Sequence, residues 1–280
     1  MSAVATAPRP QSVGTDARVT FPRLLRSEWI KLWSVKSTVW TLAITAVVIV
    51  GLVQLITWGE LNVRESLDDT SPMNALSAFG GTAYVGPLAV AVLGALSITG
   101  EYTTGMIRSS LTAAPRRLPV LWSKAAVLAF VVFVVSAVSV AVAALLQALF
   151  FGGRGVSVDA GDPQVLRALV GNALYVTAIA LLAFGLGALM RHSAGAITTT
   201  LGILMVLPIL FQLIPWAPLR DLVPYLPNVA GSQITLTDAM IAEQGGDGVV
   251  LSAWAGFGVL MAYVVVVTAA AAVLLKKRDA

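Results

Sequence analysis

The sequence contains no cysteine and a single histidine, and only 11% of its 280 residues are charged. The absence of cysteine excludes disulfide bonds, thiolate metal sites and a cysteine nucleophile. Ordinary soluble domains carry charge on about a quarter of their residues. Because 58% of the residues are hydrophobic, the composition indicates a protein that lies in a membrane.

Charge is also absent from six long apolar runs, each near or above the ~20 residues that a helix needs to cross a bilayer. Arg167, at the start of the fourth run, is the only charged residue within them. We therefore expect an all-α integral membrane protein with six transmembrane helices. Polar residues inside the runs, such as Gln54, Gln147 and Asn172, are expected to form hydrogen bonds between helices. The predicted spans are residues 37–58, 79–99, 125–151, 166–190, 194–214 and 249–275.

The basic residues lie mainly on one side of these spans. All but four of the 18 lysine and arginine residues fall on the side that both termini share, and the exceptions are Arg64, Arg154, Arg167 and Arg220. Cytoplasmic loops are enriched in basic residues, so we expect both termini in the cytoplasm. Basic residues that border helix ends indicate a membrane surface, and not nucleic acid, as their partner.

The predicted domain organisation is a single membrane domain behind a short tail. Residues 1–20 are rich in alanine, proline, threonine and serine and lack an apolar core, which predicts a disordered cytoplasmic tail. Residues 21–280 form the membrane domain. Its longest polar excursion, residues 215–248, is expected on the extracellular side and is too short for a separate soluble core.

The chain also lacks an energy-converting motif. No G-x-x-x-x-G-K-[ST] sequence occurs, so we expect it to bind no ATP, no other cofactor and no metal. Ion-driven carriers usually keep charged residues or histidine within their spans, and none occurs in mid-span here. The only histidine, His192, is interpreted as a turn residue between the fourth and fifth spans. If the protein moves a solute uphill, we expect the energy to come from a partner.

Residues 21–36, which precede the first span, have the pattern of an amphipathic helix. Such a helix lies in the lipid headgroup region, with tryptophan side chains as anchors. Glu28 falls within the apolar arc and leaves two interpretations open, a pair with Lys31 or a contact with another cytoplasmic element. The residues that we assign to this interfacial helix are Glu28, Trp29, Lys31, Leu32 and Trp33.

Residues 100–124 connect the second and third spans on the predicted cytoplasmic side. Thr103 or Thr104 can cap a short helix that runs to about Thr112, and Pro115 prevents its continuation. A short helix held between two spans can transmit a rigid-body motion to both of them.

The pairing of two segments carries a resemblance to a known family. Residues 27–38 read S-E-W-I-K-L-W-S-V-K-S-T, and residues 100–111 read G-E-Y-T-T-G-M-I-R-S-S-L. Together they resemble permease subunits of type-2 ABC transporters, especially the actinobacterial kind. The six-span layout with both ends inside is also similar, so the resemblance covers nearly all of the chain beyond the tail.

The resemblance implies roles for three segments. Residues 21–36 would be the interfacial elbow helix, and residues 101–112 would be a coupling helix that enters a groove on a separate ATP-binding subunit. Residues 215–248 would correspond to a re-entrant element, although an ordinary extracellular loop fits the sequence equally well. The implied ATPase-coupling residues are Glu101, Tyr102, Thr103, Thr104, Gly105, Met106, Ile107 and Arg108.

The resemblance also implies the partners and the activity. They are an ABC ATPase subunit that binds ATP and Mg, a second permease subunit that is either identical or different, and the lipids of a bacterial plasma membrane. Substrates of this class are drugs, antibiotics, lipids or glycans, and export is the expected direction. Spans without charge favour an amphipathic or apolar cargo.

Three other functions stay open on the sequence. An ion-coupled secondary carrier would transport without a partner, through cation sites built from backbone carbonyls. A membrane scaffold or regulatory protein would bind partners without transport. An intramembrane hydrolase would need a base beside Ser136 or Ser139, and no span contains histidine, lysine, aspartate or glutamate.

Overall fold

The computed structural model of the protein describes residues 20–68, 73–106, 117–156, 158–159, 161–214, 216–244 and 249–277. Over these ranges the regular structure is helical, without strands. The predicted tail therefore lies outside the described residues, except for Thr20. In chain order the helices are α1 (Phe21–Ser34), α2 (Lys36–Ser66), α3 (Ser77–Thr103), α4 (Arg117–Phe151), α5 (Pro163–Met190), α6 (Ser193–Leu213), α7 (Ala217–Leu222), α8 (Pro227–Ser232), α9 (Asp238–Gln244) and α10 (Ala253–Lys277).

The helices α2 to α6 and α10 are long and apolar enough to cross a membrane, which confirms the predicted fold class. Their bounds differ from the predicted spans because charged residues extend several helices beyond the apolar runs. Helix α2 continues to Ser66, and α4 begins at Arg117, within the predicted connecting segment 100–124. The last span begins at Ala253, and not at residue 249, because Ser252 caps it by accepting a backbone N–H at 3.4 Å.

Helix α5 is the central helix of the bundle. In its apolar centre 78% of the residues are buried, against 22% in α2. Small residues let α3 and α5 approach closely, since a Cβ built on Gly94 would overlap the carbonyl oxygen of Ala180. A Cβ on Gly187 would lie 3.0 Å from Ala95 O. The two helices therefore form the rigid core against which the other spans pack.

Polar residues inside the spans join neighbouring helices, as predicted. Gln54 Nε2 on α2 donates to Ala143 O on α4 at 2.9 Å. Gln147 Nε2 on α4 donates back to Thr57 Oγ1 on α2 at 2.8 Å. Asn172 Nδ2 on α5 donates to a backbone carbonyl of α3 at 3.2 Å. Hydrogen bonds of this kind satisfy polar groups that would otherwise face hydrocarbon.

Helix α6 is irregular at its middle. A π-helical turn at Gly202–Val206 precedes Pro208. Proline has no backbone N–H, and its ring clashes with the carbonyl four residues earlier. A π turn is one way in which a membrane helix adjusts to the backbone group that a proline leaves unpaired. The fifth span is therefore continuous along the chain but weakened at one point.

Residues 226–237, here named the inserted segment, return into the bundle after α7. They contain α8 and a 3-10 turn at Gln233–Thr235, and they pack between α5 and α10. A Cβ built on Gly171 of α5 would overlap the carbonyl oxygen of Ile234. The inserted segment is therefore not an exposed loop, while the assignment of residues 215–248 to a re-entrant element stays a prediction.

Candidate coupling site at the basic end of the bundle

Four charged side chains meet where α1, α3 and α4 converge. This is the end of the bundle that carries most of the basic residues that the structure describes, and we name it the basic end. Glu28 and Lys31 come from α1, Glu101 from the last turn of α3, and Lys124 from the start of α4. Together they form the four-charge cluster, in which two carboxylates balance two ammonium groups.

The four-charge cluster is joined by direct ion pairs. Lys124 Nζ lies 2.5 Å from Glu28 Oε2 and 2.9 Å from Glu101 Oε1. Lys31 Nζ lies 2.9 Å from Glu28 Oε1 and 3.1 Å from Glu101 Oε1. Each ammonium group therefore bridges a carboxylate of α1 and a carboxylate of α3. Within the described residues, Glu101 Oε2 has no hydrogen-bond partner.

Three members of the cluster are shielded from solvent. Glu28 is 4% exposed, and Glu101 and Lys124 are each 7% exposed. A buried ion pair adds little net stability, but removal of one partner costs about 3–5 kcal/mol because the other charge is left uncompensated. The cluster therefore holds α1, α3 and α4 in one fixed arrangement.

Lys31 is the most exposed member of the cluster. Burial lowers the pKa of Lys31, but the hydrogen bonds and the negative charges of Glu28 and Glu101 outweigh that effect and raise its pKa above the ordinary value. Lys31 therefore stays charged at neutral pH and keeps its pairing to both carboxylates.

Glu28 is buried because it lies on the apolar face of α1. That face packs on α4, where the rings of Trp29 and Phe130 lie 6.1 Å apart. Leu32 packs against the hydrophobic core from the same face. Both interpretations of Glu28 hold, since it pairs with Lys31 inside α1 and contacts Lys124 outside it.

The last turns of α3 also contact the connection between α5 and α6. The guanidinium carbon of Arg191 lies 5.2 Å from the centroid of the Tyr102 ring. Ser193 Oγ donates to Thr99 Oγ1 at 2.9 Å. The exposed His192 caps α6 through Nδ1, which accepts a backbone N–H at 3.1 Å, in agreement with its interpretation as a turn residue.

The family model described as ABC-2 family transporter protein matches residues 24–211 of the chain. The match begins in α1, contains the whole four-charge cluster and extends into α6. The chain belongs to the ABC-2 transporter family. It is therefore the membrane-spanning permease of a type-2 ABC transporter, a transport component and not the catalytic subunit. Comparison with curated proteins gives no match.

The start of the permease's predicted coupling segment belongs to a span. Glu101, Tyr102 and Thr103 form the last turn of α3 and do not open a separate helix. The hydroxyls of Thr103 and Thr104 both donate back to the carbonyl of Gly100, at 3.0 and 2.9 Å. These threonines therefore close the C-terminal end of α3. The helix that one of them was expected to cap lies outside the described residues beyond Met106, so that cap stays a prediction.

The chain leaves α3 through exposed residues. Gly105 has a φ of +71°, a left-handed conformation that glycine adopts without strain. Met106 is 47% exposed. Ile107 and Arg108 lie outside the described residues, together with the rest of the predicted coupling helix to residue 112. In the described part of the segment, Glu101 is thus buried in the four-charge cluster and residues 103–106 are exposed.

The interfacial helix of the permease is slightly shorter than predicted. Helix α1 ends at Ser34, and the extended conformation of Val35 places Lys36 in α2. Trp29 and Trp33 are 41% and 44% exposed, and their rings contact each other edge to face at 5.8 Å. Exposed tryptophan rings at this position fit the predicted contact with lipid headgroups.

Sequence reasoning missed the role of Lys124, which it placed only among the basic residues beside the third span. One signal was available, since Lys124 is the last charged residue before a charge-free run. Over the described ranges, no three histidine, aspartate or glutamate side chains are grouped to hold a metal ion. The charged chemistry at this end of the permease is ion pairing between helices.

Proposed function

We propose that this permease exports an amphipathic or apolar compound, driven by ATP hydrolysis in a separate ABC ATPase subunit that docks at the basic end. Two permease subunits, identical or different, enclose the pathway in a bacterial plasma membrane, with both termini in the cytoplasm. Membership of the ABC-2 family supports the ATPase partner. The asymmetry of the basic residues supports the orientation.

The four-charge cluster is the observation that carries the coupling part of this proposal. Thr103, Thr104, Gly105 and Met106 are exposed directly after the buried Glu101. A force on these residues reaches the last turn of α3 first. Because Glu101 is bound to both Lys31 and Lys124, α1 and α4 must respond with α3.

Further contacts extend this response into the centre of the bundle. The pairs Tyr102–Arg191 and Thr99–Ser193 connect α3 to the turn between α5 and α6. At Gly94 the backbone of α3 lies directly against the Ala180 carbonyl of α5, so the two helices are closely packed. Closely packed helices move as rigid bodies and do not deform continuously. A push at the basic end is therefore carried to the central helix.

The nature of the cargo follows from what the spans expose. Arg167 is the only charged residue within the predicted spans, and near the start of α5 it pairs with Asp238 Oδ1 at 2.9 Å. A charged substrate would need a countercharge along the pathway. A pathway lined by apolar spans without a countercharge favours amphipathic or apolar compounds.

The test is transport by the reconstituted complex. The permease and its ATPase subunit are placed in liposomes, and ATP hydrolysis is measured together with movement of an amphipathic fluorescent dye. We expect Glu101→Gln to reduce dye movement per ATP hydrolysed, because the coupling segment loses its anchor. The matched control is Glu65→Gln, which neutralises an exposed carboxylate paired with Arg154 at the opposite end.

Two results would contradict the proposal. Dye transport by the permease alone, driven by a sodium or proton gradient, would make it a secondary carrier. Equal dye movement per ATP in the Glu101→Gln and Glu65→Gln complexes would remove the four-charge cluster from the coupling path.

A further inference from the structure

One side chain of the inserted segment, Asn228, bonds to two different spans. Its Nδ2 donates to the carbonyl of Leu204 in α6 at 2.7 Å, and its Oδ1 accepts from the hydroxyl of Tyr175 in α5 at 2.6 Å. A carbonyl oxygen can only accept, so Nδ2 must face Leu204 and Oδ1 must face Tyr175. Asn228 therefore connects the inserted segment to α6 through Leu204 and to α5 through Tyr175.

The Leu204 carbonyl is available to Asn228 because α6 is broken there. In a regular α-helix the N–H of residue 208 would donate to Leu204 O, and Pro208 has no N–H. The adjacent π turn pairs Leu207 N–H with Gly202 O and so shifts the helical ladder. The irregular backbone thus creates a buried acceptor, and the inserted segment supplies its donor.

The inserted segment fits tightly between the helices beside it. A Cβ built on Gly231 would overlap Leu260 of α10 and lie 3.0 Å from the ring of Tyr175. The far end of the segment is held by Arg167, whose Nη2 donates to Leu236 O at 2.8 Å. Because hydrogen bonds hold both ends of the segment and its middle is closely packed, we expect the segment to move out from between α5 and α10 as one unit.

We propose that Asn228 is a positioning residue that latches the inserted segment. In the resting permease it holds the segment between α5 and α10, and so keeps the pathway closed at the end opposite the four-charge cluster. Release of the latch frees the segment when ATP drives the spans apart. The inference rests on the proposed function, since it assigns a closed state to the same pathway.

Two hydrogen bonds make a latch of suitable strength. One such bond changes an equilibrium by roughly two- to tenfold, which is small beside the energy of ATP hydrolysis and large enough to keep the segment seated. The π turn offers α6 a place to adjust without breaking further helical bonds.

The test uses the absence of cysteine from the chain. Thr235→Cys places a single thiol in the inserted segment, at a position that is 0% exposed. The permease and its ATPase are held in lipid nanodiscs, where maleimide reaches both faces. We expect Asn228→Ala to raise the nucleotide-free labelling rate by roughly two- to tenfold.

Pro208→Ala is the decisive variant, because it leaves Asn228 intact. It supplies an N–H that bonds Leu204 within α6 and so competes with Asn228 for that acceptor. We expect labelling to rise as it does for Asn228→Ala, whereas Pro224→Ala in the same connection keeps the parent rate. A purely structural role predicts that the more regular α6 leaves labelling unchanged or slower, and that result overturns the latch.

Hydrogen exchange of the amides of residues 226–237 repeats the comparison without the added thiol, should Thr235→Cys fail to fold. ATP with vanadate is expected to raise the labelling rate of the Thr235→Cys permease that carries no other substitution, which is the parent in these comparisons. No response to ATP, with fast labelling in both latch variants, would contradict the ATP-driven function and leave the latch standing. A response to ATP, with parent-like labelling in Asn228→Ala and Pro208→Ala, would overturn the latch alone.

Discussion

Lys124 Nζ on α4 lies 2.5 Å from Glu28 Oε2 on α1, so the helix that precedes the first span is joined to the third span by a buried ion pair. Glu101 of α3 shares the same lysine. Three elements that the sequence separates by long stretches thus meet where the predicted coupling segment begins. The predictions below concern this junction and the packing that connects it to the rest of the permease.

Glu28→Gln should destabilise the permease strongly. It leaves two ammonium groups facing the single carboxylate of Glu101, and loss of one partner from a buried pair costs about 3–5 kcal/mol. Thermal unfolding of the purified permease measures the effect. Addition of Lys124→Met restores the balance of charge and should recover part of the loss.

Glu65→Gln serves as the control for that comparison. Glu65 pairs with Arg154 at an exposed position, where ion pairs contribute at most about 1 kcal/mol. Equal losses of thermal stability in Glu28→Gln and Glu65→Gln would show that the four-charge cluster is solvated and does not hold the helices together.

Gly94→Ala should lower stability by about 1–3 kcal/mol, because the new methyl group overlaps the Ala180 carbonyl and forces α3 away from α5. Gly51→Ala on α2 is the matched control, since a Cβ there meets nothing within 4 Å. Thermal unfolding of the two variants separates the steric effect from the general effect of alanine in a helix. A Gly94→Ala protein as stable as Gly51→Ala would contradict the close approach of α3 and α5.

Gln147→Met should cost about 1–2 kcal/mol, because it removes the donor for Thr57 Oγ1 and for Ala75 O. The methionine keeps the volume of the side chain, so packing is largely preserved. Gln212→Met, at an exposed position, is expected to leave the melting temperature unchanged. Similar melting temperatures for both variants would mean that the hydrogen bonds of Gln147 contribute no stability.

The six spans could be predicted because hydrocarbon excludes charge, and that exclusion is visible along the chain. Their ends could not be predicted as well, because a helix stops where its backbone is capped. Thr104 closes α3 by bonding back to it, and Ser252 delays the start of α10. Neither contact changes the hydropathy of the run beside it.

Part of the candidate coupling site could also be predicted from the sequence. Glu28 was conspicuous because a carboxylate inside an apolar arc requires a partner. Lys124 was not, since no pattern along the chain shows that the first turns of α4 pack against α1. Asn228 and Leu204 illustrate the same limit. Pro208 predicts that the carbonyl of Leu204 in α6 lacks its helical partner, but only the fold shows that Asn228 donates to it.

The most direct test of the central claim is site-specific cross-linking of the permease to its ATPase subunit in the native membrane. The chain has no cysteine, so Thr104→Cys places one thiol at the exposed exit of α3, and Glu65→Cys places one at the opposite end of the bundle. With a photoreactive maleimide on each thiol, a product with the ATPase is expected from position 104 and none from position 65. A product from position 65 in place of position 104 would contradict docking at the basic end and, with it, ATP-driven coupling through the four-charge cluster.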